Sequence, residues 1–225
     1  MPAEPTLDVE QELFAAGSTL IIGIDEVGRG AMAGPVMVGV CALGPGVTEF
    51  PAGLRDSKLV SEKKRVSLFP EVQQWAPTAV GEASAAEIDE LGITACLGLA
   101  ARRALILLHE AGVAVGEATI LLDGSHDWLN PALASKLPVV TLVKADQDCA
   151  VVSAASIVAK VTRDRLMNRL AIRYPAYGFE SHAGYATKAH LSAIETHGPC
   201  PYHRFSFSPL KPDAPEPEPV PSLFD

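Results

Sequence analysis

Residues 20–43, LIIGIDEVGRGAMAGPVMVGVCAL, constrain the fold more than any other stretch of the chain. An apolar run over 20–24 meets two adjacent carboxylates, Asp25 and Glu26. A bend follows, Gly28-Arg29-Gly30, then Gly34-Pro35, then a second apolar run over 36–43. Both runs are short, rich in β-branched residues and bounded by Gly and Pro, which predicts two strands joined by a turn, over 20–25 and 36–43. Side chains alternate along a strand, so Asp25 and Glu26 point to opposite faces unless the strand is ending there. An acid at the end of a buried strand costs desolvation energy unless something compensates it. A bound cation is one compensation; a solvated acidic turn is the plain alternative. A dinucleotide-binding glycine loop fits poorly. Its third glycine comes one residue late, Pro35 and a strand follow where a helix is needed, and two acids would repel a pyrophosphate.

The chain has 225 residues, enough for one domain with a full core or two small ones. No apolar stretch approaches the ~18 residues of a membrane span. The N-terminus, MPAEPTLDVEQELF, lacks the basic-then-apolar order of a signal peptide, so a cytoplasmic protein is expected, with no membrane contact. Cys41, Cys96, Cys149 and Cys200 show no Cys-x-x-Cys spacing and read as buried free thiols. The net charge of −9 is unusual for a protein that handles nucleic acid, but its distribution matters. Residues 1–17 carry four acids and no bases, and 211–225 carry four acids and Lys211. Between the acidic ends, 144–210 holds eight bases against five acids. That stretch permits a phosphate-backbone surface; ordinary solvated helix faces would look the same.

The rest of the chain alternates between strand and helix signals. A short, loosely packed helix is expected within an acidic extension over 1–17. Ser61 is an N-cap for a helix reaching Leu68. A strand is expected over 78–84, a short helix over 85–91 and a clear amphipathic helix over 94–111, ended by Gly112. Strands over 118–122 and 139–143 follow, then a long helix over 153–172 with its bases outward. An irregular aromatic stretch over 174–185 precedes a helix over 187–197. Residues 211–225 alternate Pro with acids and form a disordered tail. Three neighbouring strands suit a meander, and the helix before the fourth allows a parallel crossover.

Three of these strands lead into acids: Asp25-Glu26, Asp123 and Asp146. In an α/β sheet, sites gather at the carboxyl ends of strands. Four carboxylates there would repel one another without counter-charge, which hard cations such as Mg²⁺ supply. Two such ions ~4 Å apart are the recurrent arrangement for phosphodiester hydrolysis. At this point the motifs become specific. DEVGRGAMAGPV at 25–36, DSK at 56–58, LLDG at 121–124 and KAD at 144–146 stand in order. VVSAASIVAKVTRDR at 151–165, GYATKAH at 184–190 and HRFSF at 203–207 complete the series. With these motifs the chain resembles bacterial ribonuclease HII, the type 2 ribonuclease H family, over roughly 20–210.

The resemblance implies an α/β fold: a ribonuclease H-like mixed five-stranded sheet flanked by helices, with a helical C-terminal region in a catalytic domain over 18–210. It leaves no room for the extra N-terminal domain of ribonuclease HIII. It implies a monomeric endoribonuclease using Mg²⁺ or Mn²⁺, held by the catalytic acids Asp25, Glu26, Asp123 and Asp146. The substrates implied are RNA–DNA hybrids and duplex DNA with embedded ribonucleotides, cut on the 5′ side to leave 3′-hydroxyl and 5′-phosphate ends. Backbone at Gly28-Arg29-Gly30 would approach the 2′-hydroxyl, with Arg29 on phosphate. Lys58 is a candidate phosphate contact, and the family places Tyr185 against the sugar beside the ribonucleotide. Asp164 reads as an ion-pair partner, and His182, His190, His197 and His203 as structural or backbone-contacting. Ser222-Leu223-Phe224-Asp225 resembles the apolar end of sliding-clamp peptides without their upstream glutamine. A weak clamp contact is therefore the alternative to a tail with no partner. A DNA transposase or resolvase would cut all-DNA substrates, and a non-catalytic binding module would need no converging acids.

Overall fold

The apolar runs on either side of the glycine bend form the two inner strands of a meander. In the computed structural model, which describes residues 4–207, β1 (Ile21–Val27) pairs antiparallel with β2 (Val36–Leu43). β2 pairs antiparallel with β3 (Thr78–Ala83). β4 (Thr119–Asp123) then lies parallel to β1, and β5 (Val139–Leu142) parallel to β4, giving the order β3-β2-β1-β4-β5. The mixed five-stranded sheet is the one expected. β1 runs past its expected end, so Asp25 and Glu26 lie within the strand.

The helices, in chain order, are α1 (Asp8–Ala15), α2 (Glu62–Trp75), α3 (Ala85–Leu91), α4 (Ile93–Glu110), α5 (Ala145–Asp148), α6 (Ala150–Arg173), α7 (Phe179–His182) and α8 (Lys188–His197). Strand alternation sorts the core onto two faces. Ile21, Cys41 and Leu121 pack with α6; Ile22, Ile24, Val38, Ile120 and Leu122 pack with α4. α6 comes very close to the sheet, because Ala155 and Ala159 face Gly39, where any Cβ would strike the Ala155 carbonyl.

Three expectations need correction. α2 does not stop at Leu68 but continues through Pro70 to Trp75. Proline removes a single helical hydrogen bond, and the buried Leu68 and Val72 on either side hold the helix across that gap. The N-terminal segment is docked rather than loose. Thr6 bridges to Cys149, Leu7 enters the core, and Glu10 is buried with Oε1 accepting from the Val151 N–H at 2.9 Å. Finally, α6 does not carry all its bases outward: Arg163 is fully buried.

The four cysteines are buried and free, as expected. Among the described residues no helix is long and apolar enough to cross a membrane. The expected disordered tail and its clamp-like end lie outside the described residues.

Candidate active site

The alternation that sorts the core also sorts the acids. Asp25 faces the α6 side of the sheet, opposite Gly39 on β2, and is buried. Asp123, two residues after Leu121, falls on the same side at the end of β4. Asp146 is buried too, and arrives from α5. The turn before it is sharp: Lys144 takes the left-handed conformation, with φ 67° and ψ 27°. One carboxylate oxygen from each of Asp25, Asp123 and Asp146 lies within 4.8 Å of the other two.

Glu26 does not join this group. It lies one residue on from Asp25, and its Oε1 accepts a hydrogen bond from the exposed Arg29 Nη1 at 3.4 Å. Its charge nevertheless raises the pKa of both Asp25 and Asp123, so it stands within electrostatic reach of the cluster.

Burial is the main force pushing the Asp25 carboxyl well above its usual range; the Ser156 hydroxyl and the Lys58 ammonium oppose it. Asp123 is raised by burial first and by the Asp146 charge second, while backbone N–H groups of Asp146 and Ala145 hold it down. Lys58 supplies the local positive charge. Its Nζ lies 3.0 Å from Asp146 Oδ2 and 3.9 Å from Asp56 Oδ1. Burial works against the ammonium, yet the Asp25, Asp56 and Asp146 carboxylates hold its pKa above the ordinary lysine value.

Asp56 is an acid that sequence reasoning passed over. It is buried, caps the Ser57–Leu59 turn by accepting from the Lys58 N–H at 3.0 Å, and lies against Asp146. The turn is locked to α6, with the Ser57 and Ser156 hydroxyls 2.8 Å apart, and to α2, whose Arg65 donates to the Ser57 carbonyl at 2.8 Å.

The glycine bend is held by two fully buried arginines that form no ion pair with a carboxylate among the described residues. Arg163 donates to the carbonyls of Pro35 (3.0 Å), Ala183 (2.8 Å) and Ala33 (3.0 Å). Arg204 donates to those of Gly34 (3.0 Å), Arg29 (2.9 Å) and Gly28 (2.7 Å). Burial first, and the neighbouring Arg163 charge second, lower the Arg204 guanidinium to about 9. Backbone bonds tie the same bend to two distant segments: Met32 N–H to the Gly184 carbonyl and Gly34 N–H to the Tyr202 carbonyl, both at 2.8 Å. Tyr185 therefore stands beside the bend, 41% exposed, with the Arg163 guanidinium carbon 5.8 Å from its ring centre. Its side chain borders a cleft of about 300 Å³ between α2, α6 and α7.

The two glycines of the bend differ. Gly28 has φ +81°, and a Cβ there would run into the Arg163 guanidinium. Gly30 has open space around it and is exposed, as is Arg29. Asp164 pairs with Lys160 at 2.6 Å and Arg65 at 3.8 Å, and it is not among the converging carboxylates.

The donor set suits a hard divalent cation. It is all oxygen, it is negatively charged, and Asp123 Oδ1 is buried with no hydrogen-bond partner among the described residues. A buried carboxylate oxygen left without a partner is costly unless a cation completes it.

Comparison with known proteins agrees with this arrangement. The family model described as Ribonuclease HII matches residues 22–209. A ribonuclease HII of Streptomyces avermitilis is 46% identical over 213 residues, covering 93% of this chain and 87% of that protein. One of Vibrio cholerae is 42% identical over 214 residues, covering 94% of this chain and 97% of that protein. The crystal structure of the ribonuclease H2 from Pyrococcus horikoshii superposes with a TM-score of 0.64 at 25% identity, covering 84% of this chain and 94% of that one. Since the match spans the sheet, the glycine bend and every segment that brings a carboxylate to the cluster, the chain belongs to the ribonuclease HII family of endonucleases.

Proposed function

We propose that the protein is a divalent-metal-dependent endoribonuclease. It hydrolyses the RNA strand of RNA–DNA hybrids and incises on the 5′ side of ribonucleotides embedded in duplex DNA, leaving 3′-hydroxyl and 5′-phosphate ends. The observation that carries this reading is the converging group of buried Asp25 and Asp146 with half-buried Asp123, whose Oδ1 has no hydrogen-bond partner among the described residues. Those three residues, with Glu26 turning in from β1, would hold Mg²⁺ or Mn²⁺. When bound, such a cation supplies charge for the developing phosphorane and acidity for the attacking water.

The protein's own groups do the rest. Lys58 neutralises part of the acid cluster and offers its ammonium to a phosphate. Arg29 is exposed and only loosely paired, so it is free to turn to the strand. The open backbone at Gly30 allows a sugar to approach, where the 2′-hydroxyl separates RNA from DNA. Tyr185 presents an aromatic face for the deoxyribose next to the ribonucleotide. The protein acts as a monomer in the cytoplasm, and its tail makes at most a weak sliding-clamp contact.

The test is a labelled duplex carrying one ribonucleotide, incubated with the protein in Mg²⁺, Mn²⁺ or EDTA. Cleavage 5′ of the ribonucleotide, dependent on metal, is expected. Cutting of an all-DNA duplex, or cutting in EDTA, overturns the reading. For the tail, a peptide of residues 211–225 that shows no binding to a bacterial clamp at high micromolar concentration ends the clamp contact.

A further inference from the structure

His190 and His203 lie fully buried beneath the Tyr185 loop, with their Nε2 atoms 3.0 Å apart. Two imidazoles at that distance need one donor and one acceptor. The backbone decides which is which. His190 Nδ1 is 2.9 Å from the Tyr185 carbonyl oxygen, which can only accept, so the hydrogen of His190 sits on Nδ1. The Cys200 N–H donates to His203 Nδ1 at 2.9 Å, so the hydrogen of His203 sits on Nε2. The opposite tautomer of His203 would give its Nδ1 hydrogen to the Cys200 carbonyl at 3.2 Å. It would then set two lone pairs face to face at the 3.0 Å contact and strand the Cys200 N–H. The bonds therefore run one way, from the Cys200 N–H through His203 and His190 to the Tyr185 carbonyl, with both rings neutral.

The surroundings favour neutrality. Phe179 and Tyr177 pack their rings on the pair. His182 stacks 4.5 Å from His190 and is itself held between the Tyr177 carbonyl (2.9 Å) and the Gly184 N–H (3.2 Å). The titratable neighbours among the described residues include His182, Tyr177 and Cys200, and no described carboxylate bears on either ring.

We propose that His190 and His203 are positioning residues for Tyr185: as a neutral imidazole pair they fix its backbone to the C-terminal strap, residues 199–207, and so set its ring for recognising a lone ribonucleotide. This rests on the reading of Tyr185 as the group that meets the sugar at the junction. The strap is itself anchored, because Asp89 of α3 accepts from the Phe205 and Ser206 N–H groups at 2.9 and 2.8 Å.

Two substitutions at one position separate the two bonds. In His190→Asn the amide nitrogen takes the place of Nδ1 and still donates to Tyr185. In His190→Gln the longer amide reaches His203 but leaves the Tyr185 carbonyl without its donor. Both lose the ring, so general loosening is common to both. The readout is the ratio of kcat/KM on a single-ribonucleotide duplex to that on a continuous hybrid, with Tyr185→Ala measured alongside. His190→Gln should lower the ratio about tenfold, towards that of Tyr185→Ala, while His190→Asn stays within about twofold of wild type. Equal ratios for the two variants, or a wild-type ratio in His190→Gln while Tyr185→Ala loses it, overturn the positioning role alone. A wild-type ratio in Tyr185→Ala overturns the junction reading and this inference with it. Independently, ring ¹⁵N NMR of the wild-type protein at pH 7 should show His190 protonated on Nδ1 and His203 on Nε2. The reverse pattern, or a charged ring, overturns the relay whatever the kinetics give.

Discussion

Each polar residue around the glycine bend has to be weighed for what the fold itself demands before any role with substrate is assigned. Gly28 and Gly30 look equivalent in the sequence and are not. Gly28 is demanded by its positive φ and by the Arg163 guanidinium packed where a Cβ would go. Gly28→Ala should therefore destabilise the protein by roughly 2–4 kcal/mol, seen in urea unfolding, and lose activity through the fold. A Cβ at Gly30 would meet nothing among the described residues, so Gly30→Ala should leave the melting temperature unchanged yet cut cleavage about tenfold by blocking the sugar's approach. Wild-type cleavage by Gly30→Ala would remove Gly30 from the substrate surface. Asp164, paired to Lys160 and Arg65, should tolerate Asn with most of its turnover kept; complete loss at unchanged stability would mean that it belongs to the active site.

At the scale of elements, α6 is the piece on which the others converge, and its N-terminus is capped from outside. Its N-cap, Cys149, makes no side-chain bond, and Glu10 of α1 accepts from the Val151 N–H instead. Glu10→Ala should cost about 1–3 kcal/mol in urea unfolding, whereas Glu10→Gln keeps the acceptor and should cost little. The C-terminal strap gives an acid response of opposite origin. Burial first, and His190 second, lower His203 from 6.5 to about 4, so its folded-state pKa lies below its unfolded one. The stability tied to neutral His203 is complete above pH 6.5 and drains away as pH falls towards 4. Unfolding free energies across that window should fall less steeply in His203→Gln than in wild type. β2 was legible to the residue, because an apolar run bounded by Gly34-Pro35 and Gly44-Pro45 has one reading. Arg163 was misread although a signal existed: it falls on the stripe 152, 156, 159, 163, 167, 170, which is otherwise apolar or small. A charge on an apolar helix stripe marks a buried base satisfied by backbone carbonyls, and counting bases along the helix hides it. Asp56 stood in the sequence as the first residue of the DSK motif, but a single acid in a loop shows its contact with Asp146 only when the fold brings that loop to the cluster.

For the whole molecule, the carboxylate cluster is a place where folding works against itself. Asp25, Asp123 and Asp146 come from β1, β4 and α5, and the sheet that packs the core also forces their charges together. Lys58 offsets part of this from the far side of the chain. Asp123 remains with an unpartnered oxygen and a pKa raised first by burial and then by Asp146. A carboxyl whose folded pKa is raised costs stability as pH rises from its unfolded pKa through the folded one, so above that window Asp123 is a net burden without metal. Asp123→Asn keeps the shape, and its amide oxygen can still accept the Asp146 and Ala145 N–H groups. In EDTA the variant should be more stable than wild type by about 0.5–2 kcal/mol, the usual gain from relieving a strained active-site group. Adding Mg²⁺ or Mn²⁺ should raise the melting temperature of the wild type, because a ligand that binds only the folded state stabilises it by mass action. The same addition should move Asp123→Asn little, and its cleavage should be nearly abolished, as should that of Asp25→Asn and Asp146→Asn. A variant no more stable than wild type in EDTA, with the full metal-induced shift retained, would show that Asp123 is neither a strained acid nor a ligand.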